Sequence, residues 1–434
     1  MSCEVVVIGA GLSGLVCATR LVAGGADVVV LEARDRVGGR LHTSTVGGAA
    51  VDLGGQWMTP GQPRLAALAR DLGVAIEKHD RSGRALLDDR GGLLAALGQW
   101  RVMRRIERMM KRLDGDLDNQ SLGEWFAREV RHSIARERLA LHADLIFATD
   151  PASLSLLHYL TTMNATSGFR PQSSDEYRFE GGAQLLAIRL AERLGERVRL
   201  GEPVITIEQS ADAIIVRTRP DMERAPTRPD MERDPTHRSQ RAEQESTYRG
   251  QRAVLAIPPP LVRKLAIELP AGARAYVNAA FSGRVVKCFA AYAQPSWRER
   301  GLSGESYHPR GAVRATVELA GDPPVLLAFV VGAEAARWSS RDPDERRGVV
   351  LSAFAPFAPE PPLDYLEVDW GTDPWSAGCV PALPPRALSA GARWREPIGR
   401  LHVAGTESAT TWPGYMEGAI DAGERAASEV LAAL

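Results

Sequence analysis

Two short β-branched runs, Glu4-Val-Val-Val-Ile8 and Asp27-Val-Val-Val-Leu31, frame the start of the chain. Each is apolar at every position rather than alternating, the pattern of a parallel strand buried on both faces. Between them Leu15 to Val22 carries apolar residues at helical spacing, so the order is strand, helix, strand. Further along, Leu93 to Leu113 reads as an amphipathic helix with Met103, Ile106, Met110 and Leu113 on one stripe. Its arginine-rich side is read as a solvated face. Ser121-Leu-Gly-Glu124 has the spacing of a capping box opening the next helix. Ala152 to Met163 is mostly apolar and is expected to line a pocket, with His158 read as a core histidine. Strand-like runs follow at 213–217, 252–257, 284–292 and 312–319.

The junction between the first strand and helix is Gly9-Ala-Gly11-Leu-Ser-Gly14. Gly9 allows a tight turn, Gly11 lets backbone approach a pyrophosphate, and Gly14 lets helix and strand pack closely. The helix N-terminus supplies unpaired N–H groups and partial positive charge to phosphates. Glu32 ends the second strand 18 residues after Gly14, where a carboxylate can bind ribose hydroxyls and would repel a 2′-phosphate. Together these features predict a dinucleotide site and argue against NADP. Arg34-Asp-Arg-Val-Gly-Gly39-Arg40 then brings two cations, Arg34 and Arg40, toward a doubly charged pyrophosphate. Asp52-Leu-Gly-Gly55-Gln56-Trp57 is a second glycine pair, where backbone can pass close to a flat ring.

Taken with the C-terminal segment Gly405-Thr406-Glu407 to Gly418, these residues resemble the flavin-containing amine oxidase family, its monoamine oxidase branch most closely. The resemblance spans nearly the whole chain. It includes Phe179-Glu-Gly-Gly-Ala-Gln184, Glu202-Pro-Val204-Ile, Val285-Val-Lys287-Cys-Phe289, Asp369-Trp370 and Ser376-Ala-Gly-Cys379-Val380. It implies an α/β fold: a Rossmann-like FAD-binding domain (GR2-type) with an interleaved α+β substrate-binding domain, as in monoamine oxidases. The expected division gives residues 1–77, 176–272 and 370–434 to the FAD-binding domain, and 78–175 and 273–369 to the substrate-binding domain.

The same resemblance implies roles for particular residues. Lys287 would hold a water at flavin N5, and Tyr415 would align the amine as one aromatic wall. Val204 would lie near the adenine, Trp370 near the flavin, and Thr406 and Glu407 near the pyrophosphate or ribityl chain. The backbone N–H of Met416 would sit near the flavin O2 end. Trp57 and Phe169 are expected as pocket walls. Cys379 matches the position that monoamine oxidases join to the flavin 8α carbon. Some bacterial relatives hold FAD without that bond, so a thioether and an unreacted thiol both stand open. The sequence departs from the family in two places. Val380 follows the cysteine where an aromatic ring is usual, which opens one side of the amine cage. Asp175 stands where the family often has glutamine, either facing the pocket to bind a second ammonium or lying on the surface.

The implied reaction is oxidation of an amine C–N bond to an imine, with hydride passing to flavin N5 and O2 reoxidation releasing hydrogen peroxide. A flavoprotein scaffold that binds FAD without turnover is a further reading, against which the retention of Lys287 speaks, and two rival enzyme readings remain. One is an L-amino acid oxidase, with Arg314 reaching the carboxylate. The other is a tailoring oxidase of secondary metabolism acting on a large amine or amide. The expected partners are a small-molecule amine and O2, with assembly into a homodimer left open.

Composition narrows this further. The chain has 434 residues, with 53 Lys plus Arg against 54 Asp plus Glu, which gives no electrostatic reason to expect nucleic acid. Its four cysteines, Cys3, Cys17, Cys288 and Cys379, form no CxxC pair, so no metal site is expected. No apolar run reaches the ~20 residues that span a bilayer, and the first strand leaves no room for a signal peptide. The expectation is a cytoplasmic protein without a membrane partner. Thr218-Arg-Pro-Asp-Met-Glu-Arg224 repeats at 227–233, and polar residues continue to Gln251. With almost nothing to bury, this stretch is read as a hairpin insertion between the runs at 213–217 and 252–257, unnecessary for chemistry.

Overall fold

A parallel sheet stands at the centre of the first of two units that make up the computed structural model, which describes residues 1–88, 90–166, 176–219, 245–319 and 321–434. That unit comprises Met1–Gly39, Gln184–Asn278 and Arg393–Leu434. Its sheet runs Leu401–Val403, Arg252–Leu255, Val5–Ile8, Val28–Glu32, Val198–Leu200. Val5–Ile8 pairs in parallel on both sides and is wholly buried, as its unbroken apolar pattern requires. The helix Leu12–Ala23 follows directly and packs on the C-terminal helix Met416–Leu431. A second sheet orders Ser246–Gly250, Ile214–Thr218, Val204–Gln209 and Ala266–Ile267.

That second sheet corrects the expected hairpin. Ile214–Thr218 pairs antiparallel with Ser246–Gly250, whereas Arg252–Leu255 leaves to join the parallel sheet. The arm Ser-Thr-Tyr-Arg-Gly escapes a hydrophobicity reading because it is an edge strand in which only Tyr248 and Gly250 turn inward. Most of the repeat, residues 220–244, lies outside the described residues, as do Phe169 and Asp175.

The second unit comprises Arg40–Ala183 and Ala279–Ala392. Residues 40–77 and 370–392, placed by the sequence with the FAD-binding part, cluster here. Its largest sheet orders Asp364–Asp369, Val285–Ala291, Val325–Val331, Val313–Leu319, Leu302–Tyr307 and Arg84–Leu86. Val285–Ala291 is buried at every position. A separate helical core gathers Trp125, Phe126, Phe147, Tyr159 and Leu160. The helix Gly92–Met110 buries Ala95, Val102 and Ile106, and ends before Leu113, which is exposed. The capping box forms as expected: the Ser121 hydroxyl accepts from Glu124 N–H at 3.1 Å, and the Glu124 carboxylate accepts from Ser121 N–H at 2.8 Å. His158 is half-buried against Phe147, and its Nε2 has no hydrogen-bond partner among the described residues. No helix among the described residues is long and apolar enough to cross a membrane.

Candidate active site

In the first unit the glycine-rich loop is built by close approach. A Cβ on Gly14 would sit 2.0 Å from the Gly9 carbonyl oxygen, whereas one on Gly11 would meet nothing within 4 Å. The loop is thus sealed at the strand and open at the helix start. The helix Leu12–Ala23 has Gly11 at its N-cap with no side-chain cap and no acidic residue in its first turn, so it presents unneutralised N–H groups. Gly38 N–H donates to the Ala10 carbonyl at 2.9 Å, which folds the 34–39 loop back beside the glycines.

Glu32, expected at a ribose, has both carboxylate oxygens engaged by backbone N–H groups of the protein. One carboxylate oxygen accepts from Ala10 N–H at 2.8 Å and the other from Arg34 N–H at 3.0 Å. The carboxylate therefore holds the glycine-rich loop in shape. Arg34 turns its guanidinium to within 3.7 Å of the same carboxylate. Val204 opens the half-buried strand Val204–Gln209.

The C-terminal motif also lies in this unit. Thr406 and Glu407 are buried in a short turn, Thr406–Ser408, ahead of the helix that starts at Met416. The Thr406 hydroxyl donates to the Tyr415 carbonyl and accepts from Gly414 N–H, both at 3.0 Å. Burial, and next the Glu407 charge, push the Tyr276 hydroxyl well above the usual phenol range. Met416 is the first residue of a 16-residue helix, so its N–H belongs to the terminal set that has no intrahelical acceptor.

In the second unit Lys287 sits mid-strand with only 5 % exposure. Its ammonium donates to the carbonyl oxygens of Gly54 at 2.7 Å and Asp52 at 3.0 Å. The rings of Trp57, Phe289 and Phe329 stand 5.6–5.9 Å from Nζ. Carbonyl oxygens and ring faces together offset the desolvation of a buried ammonium. A Cβ on Gly54 would lie 1.9 Å from the Arg40 carbonyl oxygen, so the loop can pass there only as glycine. Gly55 N–H donates to that same oxygen at 3.1 Å. The Trp370 indole N–H, just past strand Asp364–Asp369, donates to the Leu53 carbonyl at 2.8 Å and holds the loop from that side.

Cys379 belongs to this second set. Arg40 Nη1 donates to the Cys379 carbonyl at 2.7 Å, and Cys379 N–H donates to Gly283. Burial raises the thiol pKa above its ordinary value, against the pull of the Arg40 and Lys287 charges. Asp52 is likewise raised by burial, opposed by hydrogen bonds from the Thr43 hydroxyl and Ala183 N–H. Val380 packs against the helical core with Phe281. Trp57 stacks on His79 at 6.2 Å, and His79 Nε2 is 2.8 Å from the Glu318 carbonyl. His79 and Phe329 carry no motif and could not have been found from the sequence.

Arg314, the expected carboxylate ligand of the amino acid oxidase reading, has its guanidinium 3.6 Å from Asp144 and donates to the Pro309 carbonyl.

The residues present fit FAD on structural grounds. The helix start at Gly11 is open, and the buried Ser13 Oγ in its first turn is among the side-chain atoms with no hydrogen-bond partner among the described residues. Orphaned buried donors of this kind are uncommon unless a ligand or water completes them.

Comparison with known proteins agrees. The family model described as flavin containing amine oxidoreductase matches residues 12–431. A protein of Mycobacterium tuberculosis named "Putative flavin-containing monoamine oxidase AofH" is 32% identical over 99% of this chain and 97% of its own length. The human flavin-containing amine oxidase B is 28% identical over 100% of this chain and 86% of its own. Among solved structures, putrescine oxidase bound to putrescine superposes with a TM-score of 0.89 at 26% identity, covering 100% of this chain and 99% of that one.

Proposed function

Given that the chain belongs to the flavin-containing amine oxidoreductase family and is an FAD-dependent amine oxidase, we propose that its substrate is a small apolar monoamine. The observation that carries this reading is the setting of Lys287: a buried ammonium held by the Asp52 and Gly54 carbonyls and ringed by Trp57, Phe289 and Phe329. Aromatic walls suit an apolar amine body. The engagement of Arg314 with Asp144 counts against a substrate carboxylate as the recognised group.

Bound FAD would accept the hydride from the amine α-carbon and pass the electrons to O2, which leaves as hydrogen peroxide. The protein's part is binding, orientation and electrostatics. Gly9, Gly11, Gly14 and the helix start would take the pyrophosphate, with Gly39 in the loop folded beside them. Arg40, Gly55, Gln56, Trp370 and Cys379 are proposed as cofactor neighbours, with Thr406, Glu407 and the Met416 N–H serving the same role in the first unit. Lys287 fixes the 52–54 loop through two hydrogen bonds and is proposed to hold the water needed for flavin reoxidation. Tyr415 is proposed to align the amine. An amine reacts as the neutral base, and an apolar site favours that form by desolvating the ammonium. Val380, where the family usually places a ring, leaves room for a branched or wide amine body.

A peroxide-coupled assay of the purified flavoprotein tests the reading. The panel holds benzylamine, phenethylamine, pentylamine, cyclohexylamine, putrescine and L-amino acids. Turnover led by the monoamines is the expected result. Turnover confined to L-amino acids or putrescine overturns the proposed substrate class. Silence across the panel with FAD bound overturns it in favour of a dedicated biosynthetic amine.

A further inference from the structure

Tyr415 does not stand alone. The Trp412 ring meets it edge to face, with centroids 5.2 Å apart and planes at 84°. Trp412 also has a φ of +52°, one of four non-glycine residues in the left-handed region among the described residues. A bulky residue resists that conformation, and such outliers persist only when their surroundings enforce them.

The surroundings do so here. Tyr415 N–H donates to the Trp412 carbonyl at 3.1 Å, closing a turn with Pro413 and Gly414 at its centre. Gly414 has φ +88°, as the third residue of a type II turn needs, and proline favours the second. The Thr406 hydroxyl then ties the turn down through Gly414 N–H and the Tyr415 carbonyl. The Trp412 carbonyl lies on the next helix where Gly418 makes room: a Cβ there would be 2.2 Å from the Trp412 oxygen and 3.0 Å from Thr406 Oγ1. Turn, clamp and glycine together force the chain reversal that brings residues 412 and 415 to one side with their rings in contact.

We propose that Trp412 is a positioning residue that fixes the plane of the Tyr415 ring and so sets the fit of the amine. This rests on the reading of Tyr415 as the amine-aligning ring. Because the sequence has Val380 where the family usually places a second ring, the fit of the amine depends on the orientation of the one ring at Tyr415. Edge-to-face packing fixes it because the positive ring edge and negative ring face prefer one relative orientation.

Two arms test it on the holoenzyme. In the first, all eight tyrosines are replaced by 3-fluorotyrosine, and the Tyr415 fluorine resonance is assigned by its loss in Tyr415→Phe. Trp412→Gly keeps the left-handed turn, which glycine adopts readily, and removes only the ring. The expected result is a slowly flipping ring in the parent protein and a narrow, averaged resonance in Trp412→Gly. Trp412→Phe should restore the parent signal. An unchanged resonance in Trp412→Gly overturns the proposal whatever the substrate is.

The second arm measures benzylamine kinetics. Trp412→Gly should raise KM about tenfold, the ceiling for one aromatic pair, with kcat changed less than about twofold and FAD content unchanged. Equal KM in the two proteins overturns the proposal. If Tyr415→Leu leaves turnover intact, or the parent ignores benzylamine, the functional reading fails while the fluorine arm still decides the role of Trp412.

Discussion

Lys287 Nζ and the Gly54 carbonyl oxygen lie 2.7 Å apart although 233 positions separate them in the chain. This contact ties the buried strand Val285–Ala291 to the glycine loop, and Lys287 has a second acceptor in Asp52. Lys287→Met keeps the apolar stem but leaves two carbonyls without their donor. Stability should fall by about 1–3 kcal/mol, the cost of an unmet buried hydrogen bond. Reoxidation of the dithionite-reduced enzyme on mixing with O2 should slow at least tenfold. Unaltered reoxidation in stopped flow would remove Lys287 from the oxidative half-reaction.

The same loop can be disturbed without touching the lysine. Gly54→Ala places a Cβ where the Arg40 carbonyl oxygen already is. Purified Gly54→Ala should carry less than about half the parent's flavin, read from the ratio of flavin to protein absorbance. Gly348→Ala is the control. Gly348 is helical with nothing within 4 Å of its added Cβ, so the change should stabilise by about 0.5–1 kcal/mol and leave flavin content alone.

Glu32 and Ala10 offer a third test. Glu32→Ala strips the acceptor from a buried N–H and should cost about 1–3 kcal/mol together with weaker FAD retention on gel filtration. Glu32→Gln keeps one acceptor oxygen and should fall between that variant and the parent. Equal retention in all three would mean that the carboxylate is dispensable to the loop.

His158 gives the fold a pH dependence. Burial pushes its imidazole down to about 4 from an ordinary 6.5. The unfolded chain therefore binds a proton that the folded chain refuses, and stability falls as pH drops from about 6.5 toward 4. The shift corresponds to on the order of 3 kcal/mol. His158→Leu should flatten the urea-midpoint profile over that window and leave it unchanged above pH 7. A variant whose acid sensitivity matched the parent's would contradict this.

Local order was legible from residue pattern alone. The strand, glycine loop, helix and acidic residue between Val5 and Glu32 lie within about thirty residues, and each is set by steric or hydrogen-bonding preferences of its own neighbours. The capping box at Ser121 and Glu124 is legible for the same reason, since its two partners are three residues apart. Edge strand Ser246–Gly250 was missed because a half-exposed polar strand carries no apolar signal.

What the sequence by itself determined is therefore the set of parts: a dinucleotide loop, a buried lysine strand, a glycine loop with Trp57, and a C-terminal turn and helix. Tertiary structure decided what each part touches. It gave Glu32 to the Ala10 N–H, Lys287 to the Asp52 and Gly54 carbonyls, Arg40 to the Cys379 carbonyl across 339 positions, and Arg314 to Asp144. It also set Trp412 against Tyr415. Periodicity reports which face of an element is apolar. The partner of a polar group is chosen only when distant segments pack and each buried donor must find an acceptor within about 3 Å.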